Sequence, residues 1–143
     1  MNTETIQDCL RLSFADTPFP LVVRRLAGAG VRGYLADLIA LRKTYHGADG
    51  AFVDETLPLA APPPVAAGFD EAGVAAAVHA IQRQEIGYAE FLRRIMRAGC
   101  ATYAVFFDGR KAMYFGRAGE VYTEPFPQPP ETPADLAPQH AAA

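Results

Sequence analysis

The chain has 143 residues and a mass of 15.4 kDa, enough for one compact domain or for two very small units that share a core. Apolar residues make up 50%, but 27 of them are alanines; Leu, Ile, Val and Phe number 34, about a quarter of the chain and above the disorder threshold of about one fifth, so a modest core is expected. A net charge of −3 and a pI near 5.5 remove any bulk attraction to nucleic acid or to an anionic membrane.

The segment Met1–Asp8 is polar and acidic and is not expected to act as a secretory signal. Ile6, Cys9, Leu10 and Phe14 mark a first helix, and Pro18 and Pro20 stand at the start of a second, where proline is tolerated. Leu35–Leu41 is predicted as a strand with no clear turn signal after it, and Ala51–Glu55 as a later strand. Residues 59–69, with three consecutive prolines, are predicted to be a semi-extended linker. Asp70 is a plausible N-cap for a helix whose stripe is Val74, Ala77, Val78 and Ile81. After Glu85-Ile86-Gly87, a second stripe of Tyr88, Phe91, Leu92 and Ile95 predicts another helix, with Arg93, Arg94 and Arg97 on its wetter face and Gly99 as its C-terminal cap. Thr102–Phe107, Ala112–Phe115 and Val121–Glu124 are predicted strands, the first two joined at Asp108-Gly109, a two-residue hairpin signal. Residues 128–143, rich in Pro and Ala, are predicted to be a disordered tail.

These elements repeat. Shifted by 69 residues, Phe19–Pro58 lies over Tyr88–Pro127 without gaps, and ten of the forty positions are identical, against about two or three by chance. The expectation is an α+β fold made by tandem duplication of a helix-helix-strand-strand-strand unit, residues 1–58 and 70–127, packed with pseudo-twofold symmetry. Each unit alone is too small for comfortable stability. The two three-stranded sets could join or face each other; the sequence leaves both open.

No catalytic or metal motif stands out. Gly28-Ala29-Gly30-Val31-Arg32-Gly33 has the dinucleotide-binding spacing, but it follows a helix and precedes a strand, the reverse of what a pyrophosphate site needs, so a helix cap is expected and no cofactor is implied. Cys9 and Cys100 fall at apolar positions and are expected to be buried, reduced thiols, which suits a cytoplasmic protein. His46, His79 and His140 lack metal-ligand spacing. The arginines of the second helix in each unit are expected to form a solvated face, with Glu55 and Glu124 as partners. No uncharged apolar run approaches the ~18 residues of a membrane span.

The aromatic residues point to a pocket. Tyr34 and Tyr45 recur as Tyr103 and Tyr114, and tyrosine suits a site that is apolar at one end and wet at the other. The copies differ where Asp37 overlies Phe106 and His46 overlies Phe115. Tyr34, Asp37, Tyr45, His46, Tyr103 and Tyr114 are therefore the candidate ligand-binding residues, for a small molecule held between the repeats without catalysis. The alternative is a protein-interaction or regulatory module, with self-association as its simplest form. An enzyme would need His46 to work with a neighbouring carboxylate or tyrosine.

Gln84-Glu85-Ile86-Gly87-Tyr88-Ala89-Glu90-Phe91-Leu92-Arg93-Arg94-Ile95, followed by Ala98-Gly99-Cys100, resembles the YbcV-like proteins, as does Tyr114-Phe115-Gly116-Arg117 leading to Glu124-Pro125-Phe126-Pro127. This is a bacterial family of unknown function, some of whose members carry the label phage envelope protein. The resemblance runs from Ile6 to Pro127. It implies a small cytoplasmic α+β protein and carries over no catalytic residues.

Overall fold

The computed structural model describes residues 1–126; the expected tail over 128–143 lies outside them. The order of elements is α1 (Thr3–Phe14), α2 (Phe19–Gly28), β1 (Val31–Asp37), β2 (Arg42–Gly47), β3 (Phe52–Thr56), α3 (Glu71–Gln82), α4 (Tyr88–Arg97), β4 (Cys100–Phe106), β5 (Lys111–Gly116) and β6 (Val121–Pro125). From α2 to β3, every element reappears 69 residues later with the same bounds. The fold is therefore the expected duplicated α+β unit.

Local chemistry sets the helix ends. Asn2 Oδ1 accepts from Thr5 N at 3.1 Å, and Asp70 Oδ1 accepts from Gly73 N at 3.0 Å, which satisfies N–H groups that the first turn cannot. α2 starts behind Pro18 with Pro20 in its first turn, where a missing N–H costs nothing. Gly30 and Gly99, just past α2 and α4, have φ of +94° and +91°, the left-handed conformation that turns the chain into a strand.

The two units join edge to edge in one six-stranded antiparallel sheet of order β3-β2-β1-β4-β5-β6. In the central β1–β4 pair, Leu35 lies opposite Ala104, which is its own counterpart at the 69-residue offset. The pseudo-twofold axis passes through that pair. The strands alternate: Tyr34, Ala36, Lys43, Tyr45, Tyr103, Val105, Ala112 and Tyr114 are buried on the helix side. Arg42, His46, Leu35 and Phe106 face the other, uncovered side.

Two strand expectations need correction. The chain is not extended over Leu35–Leu41: β1 ends at Asp37, and Leu38–Leu41 form the turn into β2. Asp37 Oδ1 accepts from Ile39 N (3.0 Å) and Ala40 N (2.9 Å), and Leu41 takes a left-handed φ of 56°. Leu38 in the turn is nevertheless buried, so an apolar run continues through a reversal of the chain. In the second unit, the turn is also four residues, Phe107–Arg110, and Arg110 rather than Gly109 is left-handed (φ 53°). Asp108-Gly109 does mark the hairpin, but not as its two-residue form.

The 59–69 segment is more than a spacer. Leu59 and Val65 are buried, Ala66 N donates to Met96 O at 3.0 Å, and Asp70 N donates to Ala98 O at 2.7 Å. Arg93 and Arg117 donate to the carbonyls of Ala60 (2.8 Å) and Val65 (3.0 Å). The segment is thus strapped to the end of α4, and it leaves no room at Gly99: a Cβ there would lie 2.0 Å from Gly68 O. At Gly30 the nearest atom to such a Cβ would be 3.4 Å away. Both sites pay the left-handed strain of about 1 kcal/mol or more, and only Gly99 adds a collision with backbone. Gly99→Ala is expected to lower the urea midpoint clearly more than Gly30→Ala, by at least about 1 kcal/mol of extra destabilisation. Equal losses would show that the strap yields.

Candidate ligand-binding cleft

The inner face of the sheet carries a row of tyrosines. Ring centroids are 5.6 Å apart for Tyr45–Tyr34, 6.1 Å for Tyr34–Tyr103, 5.3 Å for Tyr103–Tyr114 and 6.2 Å for Tyr114–Tyr122. Phe91 of α4 meets Tyr103 and Tyr114 edge-on. Burial raises the pKa of Tyr34, Tyr103 and Tyr114 and pushes Tyr45 up to about 12, so these rings are neutral phenols at physiological pH.

Above this row is a cleft of about 310 Å³ between the repeats. Tyr34, Lys43, Tyr103, Val105, Ala112 and Tyr114 form its floor. Phe19 and Val22 of α2 face Val78 and Ile81 of α3, with Tyr88 and Phe91 of α4 behind. Its rim is the two helix–helix turns, with Asp16 on one and Glu85 on the other, together with Glu124 and Phe126. Asp16 ties the turns together. Its Oδ1 accepts from Tyr88 N at 3.3 Å and packs so closely on Gly87 that a Cβ there would lie 2.2 Å from it.

The cleft exists because the pseudo-symmetry is broken. α1 packs on α4, where Phe14 meets the Tyr88 ring edge-on at 5.0 Å. α3 follows α1 at an offset of 68 residues, and α4 follows α2 at 69, so the counterparts of these residues are Gln82 and Phe19. Gln82 carries an amide in place of the ring and donates it to Glu124 at 3.0 Å, and Phe19 turns to Phe126. The α2–α3 side therefore stays open.

Lys43 is the unexpected residue on the floor. It is 2% exposed, and Ala112 stands in its place in the second unit. Its Nζ donates to Tyr88 Oη at 3.1 Å and lies 4.2 Å from the centre of the Tyr34 ring, 5.0 Å from that of Tyr88 and 5.4 Å from that of Tyr45. Tyr88 Oη is in turn hydrogen-bonded to Tyr103 Oη. Burial penalises the ammonium, but the tyrosines Tyr88, Tyr45 and Tyr34 outweigh it and hold the pKa above the usual lysine value. Among the described residues Lys43 forms no ion pair. Glu55 lies opposite it in register, but is no salt-bridge partner, and burial raises the Glu55 pKa despite the nearby ammonium.

At the other end of the cleft Glu124 accepts from Gln82 Nε2 at 3.0 Å and from Tyr122 Oη, with His79 Nε2 at 3.3 Å. Burial would raise its pKa, but the hydrogen bonds from Tyr122 and Gln82 and the adjacent His79 more than offset that, and the value lies below the ordinary glutamate range.

Of the residues singled out from sequence, Tyr34, Tyr103 and Tyr114 line the cleft and Tyr45 packs beside Lys43. Asp37 is not there: it caps the β1–β2 turn. His46 is on the uncovered face of β2, the side opposite to Lys43 and Tyr45. Their differences from Phe106 and Phe115 fall on the outer surface. The arginine pairing also differs from expectation: Glu90, not Glu124, gathers Arg94 (3.0 Å), Arg93 (3.7 Å) and Arg97 (4.0 Å). Cys9 and Cys100 are buried, and burial pushes the Cys100 thiol up to about 12, so neither is a ready nucleophile. Among the described residues no cluster of His, Cys, Asp or Glu could hold a metal ion, and no helix is long and apolar enough to cross a membrane. The sequence matches no protein-family model and no curated protein.

Two outcomes follow from these contacts. A buried charge is weak support for stability, and an apolar residue of similar shape replaces it without loss. Lys43→Met is expected to unfold at an equal or higher urea concentration than the parent. Tyr88→Phe keeps the charge but removes its acceptor, and is expected to cost about 1–3 kcal/mol. The reverse order in urea titrations would mean that Lys43 is a keystone of the core. The second outcome concerns acid. The Glu124 pKa is depressed on folding, so its stabilising contribution is present above the ordinary glutamate pKa and is lost as the pH falls through the folded value. Glu124→Gln should therefore flatten the acid limb of the stability–pH curve; an unchanged limb would contradict the assignment.

Proposed function

We propose that the protein binds a small organic molecule, without catalysis, in the cleft between its repeats. The observation that carries this reading is the cleft itself: a space of about 310 Å³ that is walled by apolar side chains and has one buried charge, Lys43, on its floor. That combination is typical of small-molecule sites, in which apolar walls supply most of the contact and a few polar groups fix orientation. Among the described residues no nucleophile–base pair faces the space: Ser13, in the lining, gives its hydroxyl to Cys9 O at 2.9 Å, and the Cys100 thiol is held protonated. The resemblance to YbcV-like proteins brings no ligand with it, so the reading rests on the cleft alone.

A fragment library of small acids, amides and amines, screened by saturation-transfer NMR, tests it. Some fragments are expected to bind the parent protein. Ala112→Leu, which puts extra bulk on the cleft floor, is expected to lose them while keeping the parent far-ultraviolet circular dichroism. Fragments that bind Ala112→Leu as well as the parent, or no fragment binding at all, would reject the cleft as the site.

A further inference from the structure

The chemistry of the cleft narrows what it can hold. Its floor presents a single ammonium, and among the described residues no carboxylate pairs with it. Tyr88 accepts one of the three Nζ protons, and the ring faces of Tyr34, Tyr45 and Tyr88 surround the charge without neutralising it. A carboxylate entering the cleft would supply the counter-charge and the strong acceptor that the phenols do not.

The rim carries the opposite sign. Asp16 and Glu124 stand there, with Glu85, whose charge is offset by Arg83. The N-terminus of α4, which would otherwise attract an anion, is already taken by Asp16 through Tyr88 N. A ligand with two or more negative charges would meet this acidic rim with only one lysine to hold it, whereas a single carboxylate that reaches the floor matches one positive charge with one negative. The walls of Val22, Val78, Ile81 and Phe91 ask for an apolar body behind that group. At about 30 Å³ for each water-sized unit, the space holds on the order of ten non-hydrogen atoms.

From this we infer that the ligand is a small organic monocarboxylate with an apolar or aromatic body, its carboxylate paired with the Lys43 ammonium at the cleft floor. The inference rests on the binding reading above and names the ligand class for that site.

The test uses two probes of matched shape, 3-phenylpropanoate and 3-phenylpropanamide, titrated into the full-length protein at neutral pH and followed by backbone amide NMR shifts. The acid is expected to bind at least about tenfold more tightly than the amide, with shifts that include Tyr88 and Tyr103. In Lys43→Met the preference for the acid is expected to vanish while binding of the amide persists. Equal binding of acid and amide to the parent, or a preference that survives in Lys43→Met, overturns the carboxylate inference and leaves the cleft reading intact. Binding of neither probe overturns both. The comparison of acid with amide is made on the parent protein, so it stands even if Lys43→Met fails to fold.

Discussion

The antiparallel pairing of β1 with β4 turns two helix-helix-three-strand units into one molecule. Each unit has fewer than about 60 residues, a size at which the fraction of surface buried on folding is small and stability marginal. Joined at this edge, they make a six-stranded sheet whose inner face is continuous, and the helices of both units close over it. The register places Leu35 opposite Ala104 and, by the same symmetry, Gly33 opposite Phe106 and Asp37 opposite Thr102. That register fixes everything on the inner face: it puts Tyr34 within ring contact of Tyr103 across the axis and so links the aromatic side chains of both units in one row. Gly33 shows how tight the join is, since a Cβ there would lie 2.6 Å from Val105 O.

Exact symmetry would fill the interior evenly, and departures from it make the cleft. On one side of the axis Phe14 and Tyr88 close the gap between α1 and α4. On the other, the duplicate of Phe14 is Gln82, which donates its amide to Glu124 instead of closing on Phe19. The buried α1 residues Ile6 and Leu10 are matched on α3 by the smaller Val74 and Val78, which are buried too. On the sheet Lys43 replaces what the other unit has as alanine. The same set of exchanges that removes bulk between α2 and α3 brings a charge to the floor beneath it.

The duplication was legible because it rests on features that a sequence displays directly: the paired Arg-Arg, the capping glycines, the recurrent tyrosines. The edge-to-edge joining was not, since it depends on which strand edges meet, and both arrangements bury the same apolar faces. The β1–β2 turn was hidden because its apolar residue Leu38 belongs to the core even though the chain reverses there. The tyrosines of the site were found by recurrence. Asp37 and His46 were chosen by comparison of the copies, a sound test for broken symmetry, but one that ignores which side of a strand a residue occupies. Lys43 would have passed both tests. It alternates with Tyr45 on β2, so it shares the inward face of a tyrosine, and it overlies Ala112, an apolar residue. Nothing in its residue type draws attention to it, because lysines are almost never fully buried.

That rarity is the reason Lys43 matters. A methionine or leucine at its position would fill the same space beside Tyr34 and Tyr45 with no charge to desolvate, and the second unit manages there with an alanine. The core therefore does not need an ammonium. What the ammonium adds is direction: a fixed positive charge at the bottom of an apolar space, held by the Tyr88 hydroxyl and framed by three rings, with acidic residues kept at the rim. The tyrosine rings around it frame the charge without forming an ion pair with it. In water such a charge would attract any anion weakly; in this setting, where solvent is largely displaced, the attraction is strong at short range and is confined to whatever can enter the cleft. On the proposed reading, shape and charge select together, through residues that packing of the fold alone leaves unexplained.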